Sequence, residues 1–253
     1  MSMTPGVAWI IGGGSGIGAA VARLLAERGW TVAISGRRVD KLQAVASGHA
    51  GIVPYPLDVT DSAAIGAAVS AVTAAHGRID LFIFGAAAWQ PMEAGNYALD
   101  EFETVLNTNY LGVIRMANPV IAQMERLGGG HFAVIASVAG YFGLPRSAAY
   151  SSTKAGLINL LETMRAELAH RKVVVRMIAP GFVKSELTDK NDFPMPFLME
   201  TDDAARRIVD GLTQSDRFEI AFPKRMVWLM KTMRWLPYPV FFWLTEKMVP
   251  KDS

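Results

Sequence analysis

The chain has 253 residues, 51% of them hydrophobic and 19% charged, with 23 Gly and no Cys. The apolar half excludes a disordered chain, the missing cysteines exclude a disulfide framework and a thiol nucleophile, and a net charge of +2 is too small for a nucleic-acid binder. The four histidines (His49, His76, His131, His170) lack metal-ligand spacing, so no metal is expected.

Met1–Gly6 carries no positive charge, and the apolar run that follows is too short for the core of an export signal, so a cytoplasmic protein is expected. Candidate strands are Val7–Ile11, Thr31–Ser35, Gly51–Pro54, Leu81–Phe84, His131–Ala136, Val173–Ile178 and Phe218–Ala221. Amphipathic stretches lie between them, among them Ile17–Arg28, Ser62–Ala75, Phe102–Leu127 and Ala148–His170. The strands are continuous apolar runs, as expected when helices cover both sheet faces. Strand and helix in alternation predict an α/β fold: a doubly wound parallel sheet in a single domain over residues 1–253. No stretch reaches the roughly 18 apolar residues of a membrane span. The nearest, Met226–Leu244, is broken by Lys231, Arg234, Pro237 and Pro239.

Directly after the first strand stands Gly12-Gly13-Gly14-Ser15-Gly16-Ile17-Gly18, opening a helix. A turn that presses backbone N–H groups against a pyrophosphate has no room for Cβ atoms at the approach, and a helix N-terminus adds donors and a favourable dipole. The spacing Gly12-x3-Gly16-x-Gly18 departs from GxGxxG but stands in the same place, which predicts a dinucleotide site. After the second strand come Arg37 and Arg38, with no acid until Asp40. A carboxylate there would bind a ribose 2′-hydroxyl, whereas guanidinium groups bind a 2′-phosphate, so NADP(H) is favoured over NAD(H). The alternative is that both arginines are solvated residues opening a helix. Asp58, followed by Val59, either accepts from an adenine amino group or caps the next helix.

Tyr150 and Lys154 are one helical turn apart on one face. An ammonium beside a phenol favours tyrosinate and so makes the phenol a usable acid or base. Ser137 closes the fifth strand at its carboxyl end, where a hydroxyl either stabilises charge on a carbonyl oxygen or caps its own turn.

Taken together, Gly12-x3-Gly16-x-Gly18, Asn109-Tyr110-Leu111-Gly112, Ser137, Tyr150-x3-Lys154 and Pro180-Gly181 resemble the classical short-chain dehydrogenase/reductase family, from about Val7 to Ala221. The resemblance implies a Rossmann fold, NADP(H)-linked oxidoreduction of a carbonyl or alcohol, and assembly as a homodimer or homotetramer. It implies a tetrad in which Tyr150 exchanges the proton, Ser137 positions the substrate oxygen and Lys154 binds the nicotinamide ribose and lowers the Tyr150 pKa. Asn109 would hold a water linking Lys154 to solvent. It also implies cofactor contacts from Gly85 and from Pro180, Gly181, Val183 and Ser185. The chain departs from the family in three places: Ile11 replaces a Thr, Phe84-Gly85-Ala86-Ala87 replaces Asn-Asn-Ala-Gly, and Ser185 matches a Thr. Two other readings are an NAD-dependent alcohol dehydrogenase working oxidatively and a non-catalytic NADP(H)-binding sensor.

Expected substrate walls are Trp89, Phe142, Leu144, Phe182 and Phe193, the last within residues 186–200, a candidate lid. An apolar ketone or aldehyde fits them, with Lys184 and Arg146 read as solvated. From Arg217 onward seven Lys/Arg face three acids, and three of the six Trp fall there. Residues 224–253 therefore form a basic, aromatic extension, expected to pack on its own domain or a neighbouring subunit, or to lie on a membrane surface.

Overall fold

The computed structural model describes residues 3–249; Met1, Ser2 and residues 250–253, including Lys251 and Asp252 of the basic tail, lie outside the described residues. Seven strands form one parallel sheet: β1 (Val7–Ile11), β2 (Thr31–Ser35), β3 (Ile52–Pro54), β4 (Leu81–Phe84), β5 (Gly130–Ile135), β6 (Val173–Pro180) and β7 (Glu219–Phe222). Their order is β3-β2-β1-β4-β5-β6-β7. The chain therefore winds outward in one direction from β1 to β3, then returns to the other side of β1 at β4. That reversal marks the crevice where doubly wound sheets bind ligands.

The helices are α1 (Gly16–Glu27), α2 (Val39–Ala46), α3 (Ser62–His76), α4 (Leu99–Leu106), α5 (Gly112–Arg126), α6 (Ala148–Glu167), α7 (Thr201–Gln214), α8 (Lys224–Arg234) and α9 (Tyr238–Glu246). Successive strand residues point to opposite faces, so the continuous apolar runs feed two cores. Trp9 and Ile11 of β1 join Phe82, Phe84 and Phe132 under α3, α5 and α6. Ala8 and Ile10 join Val32, Ile34 and Ile83 under α1, α2 and α7. Trp9 is wholly buried, and its indole N–H is satisfied by Ser35 Oγ at 2.9 Å. Among the described residues, no helix is long and apolar enough to cross a membrane.

The sequence reading needs two corrections. The stretch expected as one helix from Phe102 to Leu127 begins at Leu99 and is split by a π-turn at Asn107–Leu111, closed by Gly112 N–H donating to Asn107 O. This widened turn carries the buried pair Thr108 and Asn109, and such turns often sit at functional sites. The sixth strand runs on to Pro180 because that residue pairs in register with Phe222, where a missing N–H is tolerated at a strand end.

His131, the second residue of β5, has its Nδ1 buried and without a hydrogen-bond partner. Burial and the charge of the fully buried Arg176 push its pKa down from 6.5 to about 4. The unfolded chain therefore takes up this proton first as pH falls, and stability is lost between about 6.5 and 4. Urea unfolding across that window should show His131→Gln losing less stability than the parent, by on the order of 1–3 kcal/mol. Parallel curves would show that His131 does not carry this dependence.

Candidate active site

A cleft of about 660 Å³ opens at the carboxyl ends of β1 and β4. Its floor is the glycine turn. Gly12 N–H donates to Ser35 O at 2.7 Å, which ties the turn to the end of β2. A Cβ on Gly18 would lie 2.2 Å from Gly12 O, so only glycine lets α1 begin this close to the turn. The first turn of α1 holds no acidic side chain, and its N-terminal amides face the cleft. This is the cradle an anion needs. All the expected cofactor residues line the cleft: Gly12, Gly14, Ser15, Gly16, Ile17 and Gly18 below, Arg37, Arg38, Asp58 and Val59 on one side, Gly85, Pro180, Gly181, Val183 and Ser185 on the other, with Tyr150 and Lys154.

The reacting groups come together from two elements. Ser137 follows β5 and opens a short 3₁₀ turn; its Oγ accepts from Ala139 N–H at 3.1 Å and donates to Pro180 O at 3.4 Å. It thus caps its own turn and also meets the Tyr150 hydroxyl, the two readings being compatible. Tyr150 and Lys154 project from α6. That helix approaches closely because residue 140 lacks a side chain: a Cβ on Gly140 would stand 2.7 Å from the Lys154 carbonyl carbon. Lys154 is 2% exposed, and its Nζ donates to Ile135 O at 2.7 Å. Nζ lies 5.4 Å from the Tyr150 ring centroid.

The electrostatics differ from the expectation of an acidified phenol. Burial pushes Tyr150 up to about 12, against the opposing pull of the Ser137 hydrogen bond. Burial likewise pushes Lys154 down to about 7. An ammonium that is desolvated and only partly charged near neutrality does not bring the resting pKa of its neighbour down to the neutral range. At neutral pH Tyr150 is a phenol with a proton to give.

Asn109 is fully buried, and its side chain clamps a backbone: Oδ1 accepts from Ala88 N–H at 2.7 Å, while Nδ2 donates to Ala88 O at 3.0 Å and Thr153 Oγ1 at 3.3 Å. It joins the segment after β4 to α6 directly. Asp58 does not cap α3; Asp61 does, accepting from Ala63 and Ala64 N–H. Asp58 Oδ1 instead accepts from the Thr60 amide and hydroxyl at 2.9 and 2.8 Å. Burial raises its pKa, but those bonds and the Arg37 charge outweigh burial and hold the carboxyl below its usual range.

Of the expected substrate walls, Trp89 lines the cleft, with its ring edge-on to Tyr150 at 5.3 Å and its Nε1 donating to Asn191 Oδ1 at 2.9 Å. Phe142, Leu144 and Phe182 do not line it. They pack with Val138, Met226 and Met230, because α8 folds back over them. Phe193 stands against Phe182 at 6.0 Å. Arg146 and Lys184, read as solvated, are paired: Arg146 with Asp192 at 2.9 Å, Lys184 with Glu200. Glu186, Thr188 and Lys190, within the candidate lid at 186–200 but not singled out there, line the cleft. Glu186 accepts from Arg38 at 2.6 Å across 148 residues of chain, a pairing no local pattern could announce.

Fold and cleft together define a class, the doubly wound α/β oxidoreductases. Residues 6–194 match the family model described as short chain dehydrogenase, and the chain belongs to that family, whose members work with NAD(P)H. An uncharacterized oxidoreductase of Myxococcus xanthus is 37% identical over 238 residues, covering 92% of this chain and 94% of that one. A 3-oxoacyl-[acyl-carrier-protein] reductase of Thermotoga maritima is 35% identical over 188 residues, covering 73% and 76%. The crystal structure of a short-chain type dehydrogenase/reductase from Mycobacterium marinum superposes with a TM-score of 0.79 at 25% identity, over 87% of this chain and 93% of that one.

The buried ammonium has a measurable cost. Between about 7 and 10.5 the unfolded chain binds the Lys154 proton and the folded chain does not, so Lys154 makes stability rise with pH in that window. Lys154→Met should therefore be more stable than the parent at pH 6, by on the order of 1–3 kcal/mol, with the gap narrowing towards pH 10. Denaturant titrations at both pH values check this; a gap independent of pH would contradict it.

Proposed function

We propose that this enzyme is an NADPH-dependent reductase of apolar ketones or aldehydes, with Tyr150 as general acid. The observation that carries the reading is the convergence of the Ser137, Tyr150 and Lys154 side chains at the end of β5, in the same cleft as the glycine turn. The dinucleotide fits the residues present: the turn presents amides where a Cβ is excluded, and the cleft continues to Tyr150. When bound, it supplies the hydride that reduces the carbonyl carbon.

The chain's own groups handle the oxygen. Ser137 Oγ, held in place by the Ala139 N–H that donates to it, turns its one proton from Pro180 O, a long contact of 3.4 Å, to the carbonyl oxygen. Tyr150 transfers its phenolic proton to that oxygen as negative charge develops on it, and the alcohol leaves. Lys154 then offers the resulting tyrosinate a nearby cation. With its pKa pushed up to about 12, Tyr150 is protonated at neutral pH, the form that a reduction requires. Asn109 keeps the Ala88 backbone, and so the Trp89 wall, in place beside Tyr150. Trp89, edge-on to Tyr150, and Leu187 in the same cleft support an apolar substrate. The 3-oxoacyl group in the name of the Thermotoga relative is a carbonyl of that kind.

The cofactor preference rests on Arg37 and Arg38, which flank the cleft where a 2′-phosphate would lie and are not faced by any carboxylate of β2. Arg38 gives Nη2 to Glu186 and to Ser15 Oγ, and a 2′-phosphate would take this guanidinium by displacing the Glu186 carboxylate.

Tyr150→Phe should lower kcat by about two to four orders of magnitude while the NADPH Kd stays within about twofold. Retention of turnover within tenfold would remove Tyr150 from the role. Replacing both Arg37 and Arg38 by Ala should raise KM for NADPH at least about tenfold and leave that for NADH nearly unchanged. Equal effects on both cofactors would show that the guanidinium groups do not read the 2′-phosphate.

A further inference from the structure

The two C-terminal helices each bury one narrow stripe. Met226 and Met230, a turn apart on α8, enter the cluster around Val138. Phe241 and Thr245 are the buried positions of α9, and the Phe241 ring meets Phe142 edge-on at 5.2 Å. Glu219 of β7 fastens α8 further by accepting from the Tyr141 hydroxyl at 2.6 Å and pairing with Lys231. α8 and α9 are therefore mounted on their own domain through these inner stripes.

Its outer side has a different character. Of the sixteen exposed large apolar side chains among the described residues, nine lie between Trp228 and Val249. Trp235 is 88% exposed, Trp228 70% and Trp243 57%. Large apolar side chains exposed in this number on and beside two short helices mark an interaction site. The charges within it are nearly all of one sign. Lys224, Arg225, Arg234 and Lys247 are exposed and Glu246 is the one exposed acid from 224 to 249, since the charge of Lys231 is answered by Glu219.

Indole and phenol rings interleaved with cations fit the boundary between lipid headgroups and acyl chains, where amphipathic rings concentrate and anionic headgroups attract Lys and Arg. A second copy fits poorly. A twofold contact lays the patch against itself and sets four cations against four, with Glu246 the one opposing charge on each side. We propose that the outer face of α8 and α9 docks on an anionic lipid bilayer surface without crossing it. The helices have eleven and nine residues, about 16 and 13 Å of rise against a hydrocarbon core of about 30 Å. Behind this face Phe142, Phe182 and Val138 pack against Met226 and Met230 of α8, so the outer side chains stand on a firm apolar support.

The test is co-sedimentation of the full chain with vesicles of phosphatidylcholine alone and of phosphatidylcholine mixed with phosphatidylglycerol. Binding to the mixed vesicles should be at least about tenfold tighter and should weaken with added salt. Arg225→Glu combined with Arg234→Glu should remove the preference for mixed vesicles, and Trp235→Ser combined with Trp243→Ser should weaken binding to both kinds about tenfold. All four positions are exposed, so Tm and turnover of a water-soluble carbonyl should match the parent. Failure of the parent to sediment with either vesicle overturns the proposal, as does unchanged binding by both variants. A dimer that the charge reversals dissociate, seen by sedimentation velocity with no vesicle binding, assigns the face to a second copy instead. None of these outcomes depends on which carbonyl or cofactor the enzyme uses.

Discussion

The hydrogen bond from Lys154 Nζ to Ile135 O, at 2.7 Å, fixes α6 against the last residue of β5. It joins the two elements that supply the reacting groups, and it sits where water is excluded, so its donor has no alternative partner in solvent. Gly140 makes the contact sterically possible, and Ser137 caps the turn that Gly140 closes. A side chain at 140 would push α6 outward and separate the phenol from the serine. The three groups thus hold one another in place through backbone contacts more than through direct pairing.

The rest of the molecule supports that junction from both sides. Each strand divides its side chains between two cores, so the sheet cannot shift its register by one residue without turning Trp9 or Phe82 out of the core beneath α3, α5 and α6. The ends of β1 and β4 therefore lie at fixed positions, with the glycine turn on one and Gly85 on the other. Asn109 extends this rigidity to the segment after β4 through its clamp on Ala88. The segment at 186–200 is tied on both banks of the cleft. Glu186 reaches Arg38 on the β2 side, and Asn191 and Asp192 reach Trp89 and Arg146 near Tyr150.

Much of this was legible in the sequence because it is local. The apolar runs of the strands, the glycines of the turn and the one-turn spacing of Tyr150 and Lys154 are properties of neighbouring residues, and the strand positions agree within two residues. What could not be read depends on distant packing. The pKa of Tyr150 follows burial that a four-residue spacing does not reveal. Phe142, Leu144 and Phe182 resemble pocket walls by composition, yet α8 covers them from more than forty residues further on, and for the first two from more than eighty. The π-turn was hidden for a different reason: both flanking helices are ordinary in propensity, and the extra residue shows only as a slip in the apolar period at Asn107–Leu111.

The topology also bears on how the chain reaches its native state. The central strand β1 pairs with β2 across 24 residues, Val7 with Thr31, but with β4 across 73, Ala8 with Leu81. Every neighbouring pair of strands is parallel, so each requires a long crossover and none can zip from a hairpin. Loop closure must precede the reward of burial, a sequence of events that slows folding and leaves the edge of β1 uncovered until the fourth strand arrives. During synthesis that edge waits for more than seventy residues, and it is then that the chain is most exposed to mispairing with another copy.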